Sequence, residues 1–330
     1  MPLSELHHYN LQMQKIPTFE DILLASDRIA ATIHHTPVLT SSNLNALTGV
    51  NLFFKCENFQ QVGAFKYRGA TNAVLSLTGE EASKGVATHS SGNHAAALAL
   101  AAKKRGIPCF VVMPRTAPRP KIEAVKHYGA SITFCEPNLQ SRENTLEQIV
   151  SQTAATVIHP YDNFQVISGQ GTAAKEFLEQ VPALDVVLAP VGGGGLLSGT
   201  VLAVKAMKPQ AKVFGCEPAQ ADDACRSFRS GQLMPALPPN TIADGLLTSL
   251  SERTFTIIRS HVDDIFTVSE EAILQAMLLV WQRMKIVIEP SAAVPLAALI
   301  DNRERFAGKN AGIILSGGNV DLLNLPFRQG

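Results

Sequence analysis

Residues 185–207, DVVLAPVGGGGLLSGTVLAVKAM, carry the clearest fold signal in the chain. Residues 185–190 form a short apolar run, which predicts a strand buried on both faces of a sheet. Four glycines at 192–195 follow the run, and residues 196–207 then have the length and apolar content of a helix. A buried strand, a tight turn and a helix in this order are typical of a βαβ unit.

The same alternation extends through the whole chain. Apolar runs rich in β-branched residues predict further strands at residues 50–55, 109–113, 131–135, 213–216 and 312–315. Longer segments that end at helix breakers predict helices at residues 94–104, 121–127, 144–153 and 270–283. We therefore predict an α/β fold with parallel-type sheets flanked by helices.

Length and composition restrict the class of protein. The chain has 330 residues, enough for two domains, and 46% of them are hydrophobic against 17% charged, as in a soluble globular protein. Its formal net charge of zero argues against a nucleic-acid or polybasic membrane partner. The five cysteines form no Cys-x-x-Cys pair, residues 1–20 lack a secretory signal pattern, and no apolar stretch reaches the roughly 18 residues of a membrane span. We therefore expect a cytoplasmic protein with reduced thiols.

The run NFQQVGAFKYRGA, residues 58–70, holds a single lysine, Lys66, between two aromatic residues. We predict that it lies on a turn opened by Gly63 and closed by Gly69. Apolar neighbours disfavour the cationic form of a lysine, so its pKa falls and more of it is the free amine. A free amine can form a Schiff base with an aldehyde cofactor. Taken alone, Lys66 could also be an ordinary solvated surface lysine.

Two segments are candidate anion sites. Residues 192–195 lie between a predicted strand and a predicted helix, where backbone N–H groups and the helix N-terminus can hold a phosphate. A flexible loop is the alternative, and the segment matches neither a Walker loop nor G-x-G-x-x-G. The run SSGNH, residues 90–94, opens another predicted helix and suits a carboxylate, although Ser91 or Asn93 could simply cap that helix.

Ser316 and three acidic residues are further candidates. Ser316 follows a predicted strand, and a side chain at the carboxyl end of a parallel strand faces the ligand crevice. A turn serine is the alternative. Glu217, Asp222 and Asp223 could hold a hard divalent cation together with backbone oxygens, or could favour a helix N-terminus. The histidines lack metal-ligand spacing, so we predict no zinc site.

One cofactor would explain four of these elements. Pyridoxal phosphate offers an aldehyde for Lys66, a phosphate for the glycines and a ring nitrogen for Ser316. An amino-acid substrate would bring a carboxylate to residues 90–94. We therefore predict a pyridoxal-phosphate enzyme that acts on an amino acid.

Five motifs stand out along the chain: GAFK at 63–66, SSGNH at 90–94, GQGT at 169–172, TIADG at 241–245 and MKIVIEP at 284–290. With them the chain resembles the serine racemase and serine/threonine dehydratase family of pyridoxal-phosphate enzymes, which has the tryptophan-synthase-β fold. It looks closest to the eukaryotic serine racemases, and the resemblance runs from about residue 35 to residue 321. The resemblance implies a homodimer, a large pyridoxal-phosphate-binding domain of residues 1–84 and 157–330, and a small mobile domain of residues 85–156.

The resemblance also implies roles for particular residues. Lys66 would carry the cofactor and remove the Cα proton on one face of the substrate, and Ser91 would be the acid or base on the other face. The other cofactor contacts would come from Phe65, Asn93, Gly192, Gly193, Gly194, Gly195 and Ser316. The substrate would be bound by Ser90, Ser91, Asn93, His94 and Arg142. A divalent cation, Mg²⁺ or else Ca²⁺ or Mn²⁺, would be bound by Glu217, the carbonyl of Ala221 and Asp223.

The activity implied by the resemblance is that of a serine racemase, which interconverts L- and D-serine and also eliminates water from serine to give pyruvate and ammonia. A dedicated ammonia-lyase for L-serine, L-threonine or 3-hydroxyaspartate would use the same residues. A non-catalytic amino-acid sensor and an NAD-binding enzyme are alternatives of other classes. Two positions depart from the vertebrate racemases: Ala96 replaces a glutamine implicated in nucleotide binding, which argues against activation by ATP, and Tyr161 replaces an asparagine.

Overall fold

Two sheets organise the protein, for which a computed structural model describes residues 15–323, 325 and 327. The larger sheet has six strands in the order β1 (Val38–Leu39), β2 (Asn51–Cys56), β10 (Asn310–Leu315), β7 (Val186–Pro190), β8 (Lys212–Pro218) and β9 (Asp264–Val268). The smaller sheet has four strands in the order β5 (Ser131–Cys135), β4 (Cys109–Pro114), β3 (Val86–His89) and β6 (Thr156–Val157). The strands pair in parallel, except that the edge strand β1 runs antiparallel to β2.

Helices cover both sheets. In chain order the described α-helices are α1 (Phe19–Ile29), α2 (Ser42–Thr48), α3 (Lys66–Ser76), α4 (Gly79–Lys84), α5 (Asn93–Arg105), α6 (Arg119–His127), α7 (Leu139–Thr153), α8 (Phe164–Gln180), α9 (Gly195–Met207), α10 (Asp223–Ser230), α11 (Glu252–His261), α12 (Glu270–Leu279) and α13 (Pro290–Asp301). The predicted α/β fold with parallel sheets flanked by helices is therefore confirmed.

The larger sheet is buried on both faces, as the apolar run at residues 185–190 predicts. All five residues of β7 are buried. Val187 contributes to a core that contains residues of α8, α9 and α11, whereas the next residue, Leu188, contributes to a core with α12 and α13. Successive side chains of a strand point to opposite faces, so one sheet supports both cores.

Two predicted helices differ from the structure at their ends. The helix predicted at residues 144–153 begins earlier, at Leu139, because the Asn138 side chain accepts a hydrogen bond from the Ser141 backbone N–H at 2.8 Å and caps the helix. The helix predicted at residues 270–283 ends as an α-helix at Leu279 and continues as a single π-helical turn, Val280–Met284.

The predicted turn around Lys66 is also corrected. Gly69 does not close a turn, because it lies inside α3, which begins at Lys66. A Cβ atom on Gly69 would come within 2.7 Å of the Val166 carbonyl oxygen. Glycine is therefore needed there because α3 crosses α8 at close range, and not because the chain turns.

The smaller sheet is built from residues 86–157, and the strands of the larger sheet come from both sides of that segment. The division into domains of residues 1–84 with 157–330 and of residues 85–156 stays a prediction.

Candidate active site

A cavity of about 430 Å³ lies where the carboxyl ends of strands from both sheets converge. In parallel α/β proteins this edge of the sheet is where ligands bind. The predicted site residues that line the cavity are Phe65, Lys66, Ser90, Ser91, Asn93, His94, Arg142, Gly192, Gly193, Gly194, Gly195 and Ser316. The structure therefore brings together every predicted cofactor and substrate residue, although they come from separate segments of the sequence.

Lys66 lies in this cavity as the first residue of α3. Its Nζ donates a hydrogen bond to the backbone carbonyl oxygen of Pro160 at 2.9 Å and lies 5.1 Å from the centroid of the Phe65 ring. Burial lowers the pKa of Lys66 to about 8, and the nearby Glu289 carboxylate opposes that shift. The direction is the one that its apolar neighbours predict, and it makes the free amine available near neutral pH.

The segments of Lys66 and Ser316 are joined through the backbone. The Phe65 N–H donates to the Ser316 carbonyl oxygen at 3.0 Å, and Ala64 forms an antiparallel bridge with Gly317. Ser316 is buried at the carboxyl end of β10. This pairing fixes the start of α3 against the centre of the larger sheet.

The four glycines form the link between β7 and α9. Gly194 has φ +85°, in the left-handed region, and stands directly before Gly195, the first residue of α9. A Cβ atom on Gly193 would lie 2.3 Å from the Tyr161 ring, so a larger residue does not fit. The segment thus presents backbone at a helix N-terminus inside the cavity, which is the arrangement that favours an anion.

The serine-rich segment precedes α5. The residue at the N-cap is Gly92, and no side chain makes a capping hydrogen bond, so the alternative that Ser91 or Asn93 caps this helix is wrong. Asn93 Nδ2 instead donates to both carboxylate oxygens of Glu289, at 3.0 and 3.1 Å. Ser90 and Ser91 line the cavity beside the exposed N–H groups of the helix start.

His94 and Arg142 differ in how much freedom their side chains keep. His94 is buried, its Nε2 lies 3.0 Å from the Ile158 carbonyl oxygen, and burial lowers its pKa to about 3. The imidazole is therefore neutral and held to the backbone. Arg142, on α7, lines the cavity, and its buried Nε has no hydrogen-bond partner among the described residues.

Glu289 is a site residue that sequence reasoning missed. It lies in the cavity wall, and a Cβ atom on Gly317 would come within 2.6 Å of its Oε1. Burial, and to a lesser extent the neighbouring Asp244, raises the pKa of Glu289 to about 7. The only sequence signal was an acidic residue directly before Pro290 at a helix start within the MKIVIEP motif.

The turn after β6 contributes three residues to the site. His159, Pro160 and Tyr161 all line the cavity, and the rings of His159 and Tyr161 make an edge contact with centroids 4.5 Å apart. Only Tyr161 had been singled out from the sequence, and only as a departure from a family pattern.

The predicted metal ligands lie outside the cavity lining. Glu217, in β8, accepts hydrogen bonds from the backbone N–H groups of Ala224 at 3.1 Å and Cys225 at 2.9 Å, so it stabilises the start of α10. Asp223 Oδ2 is buried and has no partner among the described residues. That orphaned oxygen fits a cation, but within residues 15–323, 325 and 327 no three His, Cys, Asp or Glu side chains form a metal-binding group.

A second cavity, of about 870 Å³, adjoins the first and shares Asn93, Lys121 and Asp244 with it. Lys121 on α6 forms an ion pair with Asp244, and this pair stands at the boundary between the two cavities. Ala96 lines the second cavity.

Comparison with known proteins identifies the class. A sequence model of the family described as "Pyridoxal-phosphate dependent enzyme" matches residues 29–317. The chain is 54% identical over 312 residues to a β-hydroxyaspartate dehydratase of Paracoccus denitrificans (strain Pd 1222), covering 94% of this chain and 99% of that protein. It is 52% identical over 312 residues to a serine racemase of Dictyostelium discoideum, and the match covers 93% of this chain and 96% of that protein. The chain belongs to this family of pyridoxal-phosphate dependent enzymes.

A solved structure supports the same conclusion. The serine racemase of maize has a TM-score of 0.91 to this chain at 46% identity, covering 93% of this chain and 95% of that one. The predicted tryptophan-synthase-β-like fold, the cofactor and the class of racemase and ammonia-lyase enzymes are confirmed. The NAD-binding and sensor alternatives do not agree with these relatives. In the described part of the chain, no helix is both long and apolar enough to cross a membrane.

Proposed function

We propose that this protein is a serine racemase that also eliminates water from serine to give pyruvate and ammonia. The observation that carries the proposal is a single cavity that holds both the amine of Lys66 and the hydroxyl of Ser91. Racemisation needs one group to remove the Cα proton and a second group to return it on the opposite face. Lys66 and Ser91 supply two groups of different chemistry in one cavity, and we propose that they act on opposite faces of Cα.

The residues present fit pyridoxal phosphate. Lys66 offers an amine of lowered pKa, and residues 192–195 offer backbone N–H groups at the N-terminus of α9. Phe65, Asn93 and Ser316 would contact the ring. When bound, pyridoxal phosphate supplies an electron sink that makes the Cα proton of an amino acid acidic.

The protein's own groups would then direct the chemistry. The N-terminus of α5, with Ser90, Ser91, Asn93 and His94 around it, would receive the substrate carboxylate. Lys66 would remove the Cα proton and Ser91 would deliver a proton to the other face. Ser316 is a neutral partner for the ring nitrogen, so it does not force that nitrogen to be protonated, which is compatible with elimination beside racemisation.

A dedicated ammonia-lyase for 3-hydroxyaspartate is the second candidate. One observation favours it: the buried Nε of Arg142 has no described partner, and this side chain lines the cavity. A second substrate carboxylate would satisfy that donor in a charge-assisted hydrogen bond. The 54% identity to a β-hydroxyaspartate dehydratase supports the same candidate.

Four further proposals accompany this function. We propose that residues 85–156 form a small domain that closes on the cavity, with the Lys121–Asp244 ion pair across the gap. Glu217, the Ala221 carbonyl and Asp223 would bind a divalent cation such as Mg²⁺, for which the buried orphaned Asp223 Oδ2 is the structural support. The protein would act in the cytoplasm and as a homodimer.

The deciding experiment incubates purified enzyme with L-serine, pyridoxal phosphate and Mg²⁺, and follows D-serine by chiral chromatography and pyruvate in the same sample. We expect both products. A Ser91→Ala variant should lose D-serine before pyruvate, whereas Ser83→Ala, at an exposed position on α4, should lose neither. Pyruvate without D-serine would favour the ammonia-lyase candidate, and 3-hydroxyaspartate would then be tested against L-threonine. No product from any of these substrates would contradict the proposal.

A further inference from the structure

The side chain of His159 has a defined tautomer. Its Nδ1 lies 2.9 Å from the backbone nitrogen of Asp162 and 3.4 Å from that of Tyr161. A backbone N–H can only donate, so Nδ1 must be the acceptor in both contacts and carries no proton. In a neutral imidazole the proton is therefore on Nε2.

The imidazole is neutral at physiological pH. Burial, together with the nearby His89, Lys66 and Arg253, lowers the pKa of His159 to about 3. Its Nε2 is thus a hydrogen-bond donor that neither gains nor loses a proton near neutral pH.

That donor has no protein acceptor. None of residues 15–323, 325 and 327 accepts a hydrogen bond from His159 Nε2, and the side chain lines the same cavity as Lys66 and Ser91. The adjoining carbonyl, that of Pro160, accepts the hydrogen bond from Lys66 Nζ. A single turn of the chain therefore contributes to the cavity lining both the residue that contacts the amine of Lys66 and a side chain whose Nε2–H is not engaged by the described residues.

Packing fixes the donor in place. The His159 ring makes edge contacts with the rings of His89, at 5.8 Å between centroids, and Tyr161, at 4.5 Å. Further along the turn, Asp162 forms an ion pair with Arg253 at 3.1 Å that holds the turn against α11. A donor fixed before the substrate arrives costs little reorganisation during reaction.

We propose that His159 is a specificity-determining residue whose Nε2–H donates a hydrogen bond to the oxygen carried on Cβ of the bound amino acid. This inference rests on the proposed function, since it concerns substrates with a β-hydroxyl group. The turn after β6 would thus recognise the β-hydroxyl group of the substrate.

The hydrogen bond acts on one of the two reactions. In elimination the Cβ–O bond breaks and its electron pair stays on oxygen, so the oxygen gains negative charge and the hydrogen bond strengthens. The proton that Lys66 takes from Cα balances the departing hydroxide, so water is the net product and His159 keeps its proton. Proton removal and return at Cα leave the charge on that oxygen unchanged, so His159 should matter little for them.

Two substitutions separate this task from a structural one. His159→Asn keeps an acceptor placed to bond the backbone N–H groups two and three residues later, as asparagine does in an Asx turn, but lacks the donor into the cavity. His159→Gln keeps a side-chain N–H that reaches about as far as Nε2, but its longer chain is not suited to that turn.

The test compares two substrates on the holoenzyme, with pyruvate as the product of both. The hydroxide of L-serine is a poor leaving group that needs the hydrogen bond, whereas the chloride of β-chloro-L-alanine leaves without it. We expect His159→Asn to lower kcat/KM for L-serine about 10- to 100-fold while leaving β-chloro-L-alanine and Cα deuterium exchange of L-serine nearly unchanged. His159→Gln should recover part of the loss.

Three results would overturn the inference. Equal losses for both substrates would mean that His159 positions something other than the leaving oxygen. If His159→Asn has wild-type rates and only His159→Gln is defective, the sole role of His159 is to hold the turn through the hydrogen bonds that its Nδ1 accepts. If the wild-type enzyme forms pyruvate from neither substrate, the proposed function is wrong and the inference fails with it. The first two results leave the proposed function intact.

Discussion

The Nζ of Lys66 donates a hydrogen bond to the carbonyl oxygen of Pro160 across 2.9 Å. Lys66 begins α3, whose start is tied by Phe65 to the end of β10, while Pro160 lies just beyond β6. One hydrogen bond thus joins the larger sheet to the smaller one at the base of the cavity. Because the acceptor is a neutral carbonyl, it opposes the effect of burial on the lysine pKa less than a carboxylate would.

Covalent capture of pyridoxal phosphate should report that pKa. Only the neutral amine attacks an aldehyde, and burial lowers the pKa of Lys66 from 10.5 to about 8. The capture rate of the apoprotein should therefore rise about tenfold per pH unit below pH 8 and level off above it. Stopped-flow absorbance measures the rate, with a lysine-containing peptide as reference for the cofactor's own titration. A midpoint near that of the peptide would contradict the lowered pKa of Lys66. Covalent capture of pyridoxal phosphate by the Lys66→Ala variant would show that another amine is the one that reacts.

Glu289→Gln should change how stability depends on pH. The pKa of the buried carboxyl is raised from 4.5 to about 7, so its protonated form contributes stability that is complete below pH 4.5 and is lost as pH rises through 7. Glutamine resembles the protonated acid at all pH values. The variant should match the wild type near pH 4.5 and exceed it by about 2–3 kcal/mol at pH 8.

Urea unfolding at both pH values measures that difference. Glu252→Gln, at an exposed position on α11, is the control and should shift neither value. A Glu289→Gln variant that is less stable than wild type at pH 8 would show that Glu289 is ionised and well paired in the folded protein.

A buried ion network should support the helix that begins with Lys66. Arg68, two residues further along α3, contacts Glu57 through Nε at 2.8 Å and Glu176 through Nη2 at 3.1 Å, and its side chain is fully buried. Arg68→Met would leave the buried Glu57 carboxylate without a cation, whereas Glu176 would keep Lys55, and the variant should lower the free energy of unfolding by about 3–5 kcal/mol. The matched control is Lys84→Met on the exposed helix α4, where urea unfolding should detect no change. Similar small effects for both variants would contradict the role of the network.

Divalent cations should stabilise the protein through Asp223. If Mg²⁺ binds the folded chain at Asp223 and Glu217, the thermal midpoint should rise with Mg²⁺ concentration, because a ligand that binds only the folded state stabilises it. Asp223→Asn should abolish this rise. Asp222→Asn should retain it, since the Asp222 carboxylate is already engaged by Arg226 at 2.8 Å. An unchanged response in Asp223→Asn would place the cation elsewhere.

Local pattern predicted much of the fold. The buried strand at residues 185–190 and the glycine link after it occur as expected, because a continuous apolar run and a set of glycines constrain the backbone over a few residues. The predicted helix ends are less accurate. A side-chain cap sets the helix start at Leu139, and a π-helical turn sets the α-helix end at Leu279. Gly69 was misread because its role depends on α8, a helix that is distant in the sequence.

The βαβ alternation, the single lysine of the GAFK motif and the glycine link at residues 192–195 could be predicted from the amino-acid sequence alone, since each depends on neighbours along the chain. Three contacts needed the folded chain: Glu289 lies against Asn93, Pro160 accepts the hydrogen bond of Lys66, and the His159 Nδ1 accepts from the Asp162 N–H. The physical reason is that burial and hydrogen bonding between distant segments set these pKa values and tautomers, and neither can be read from a local pattern.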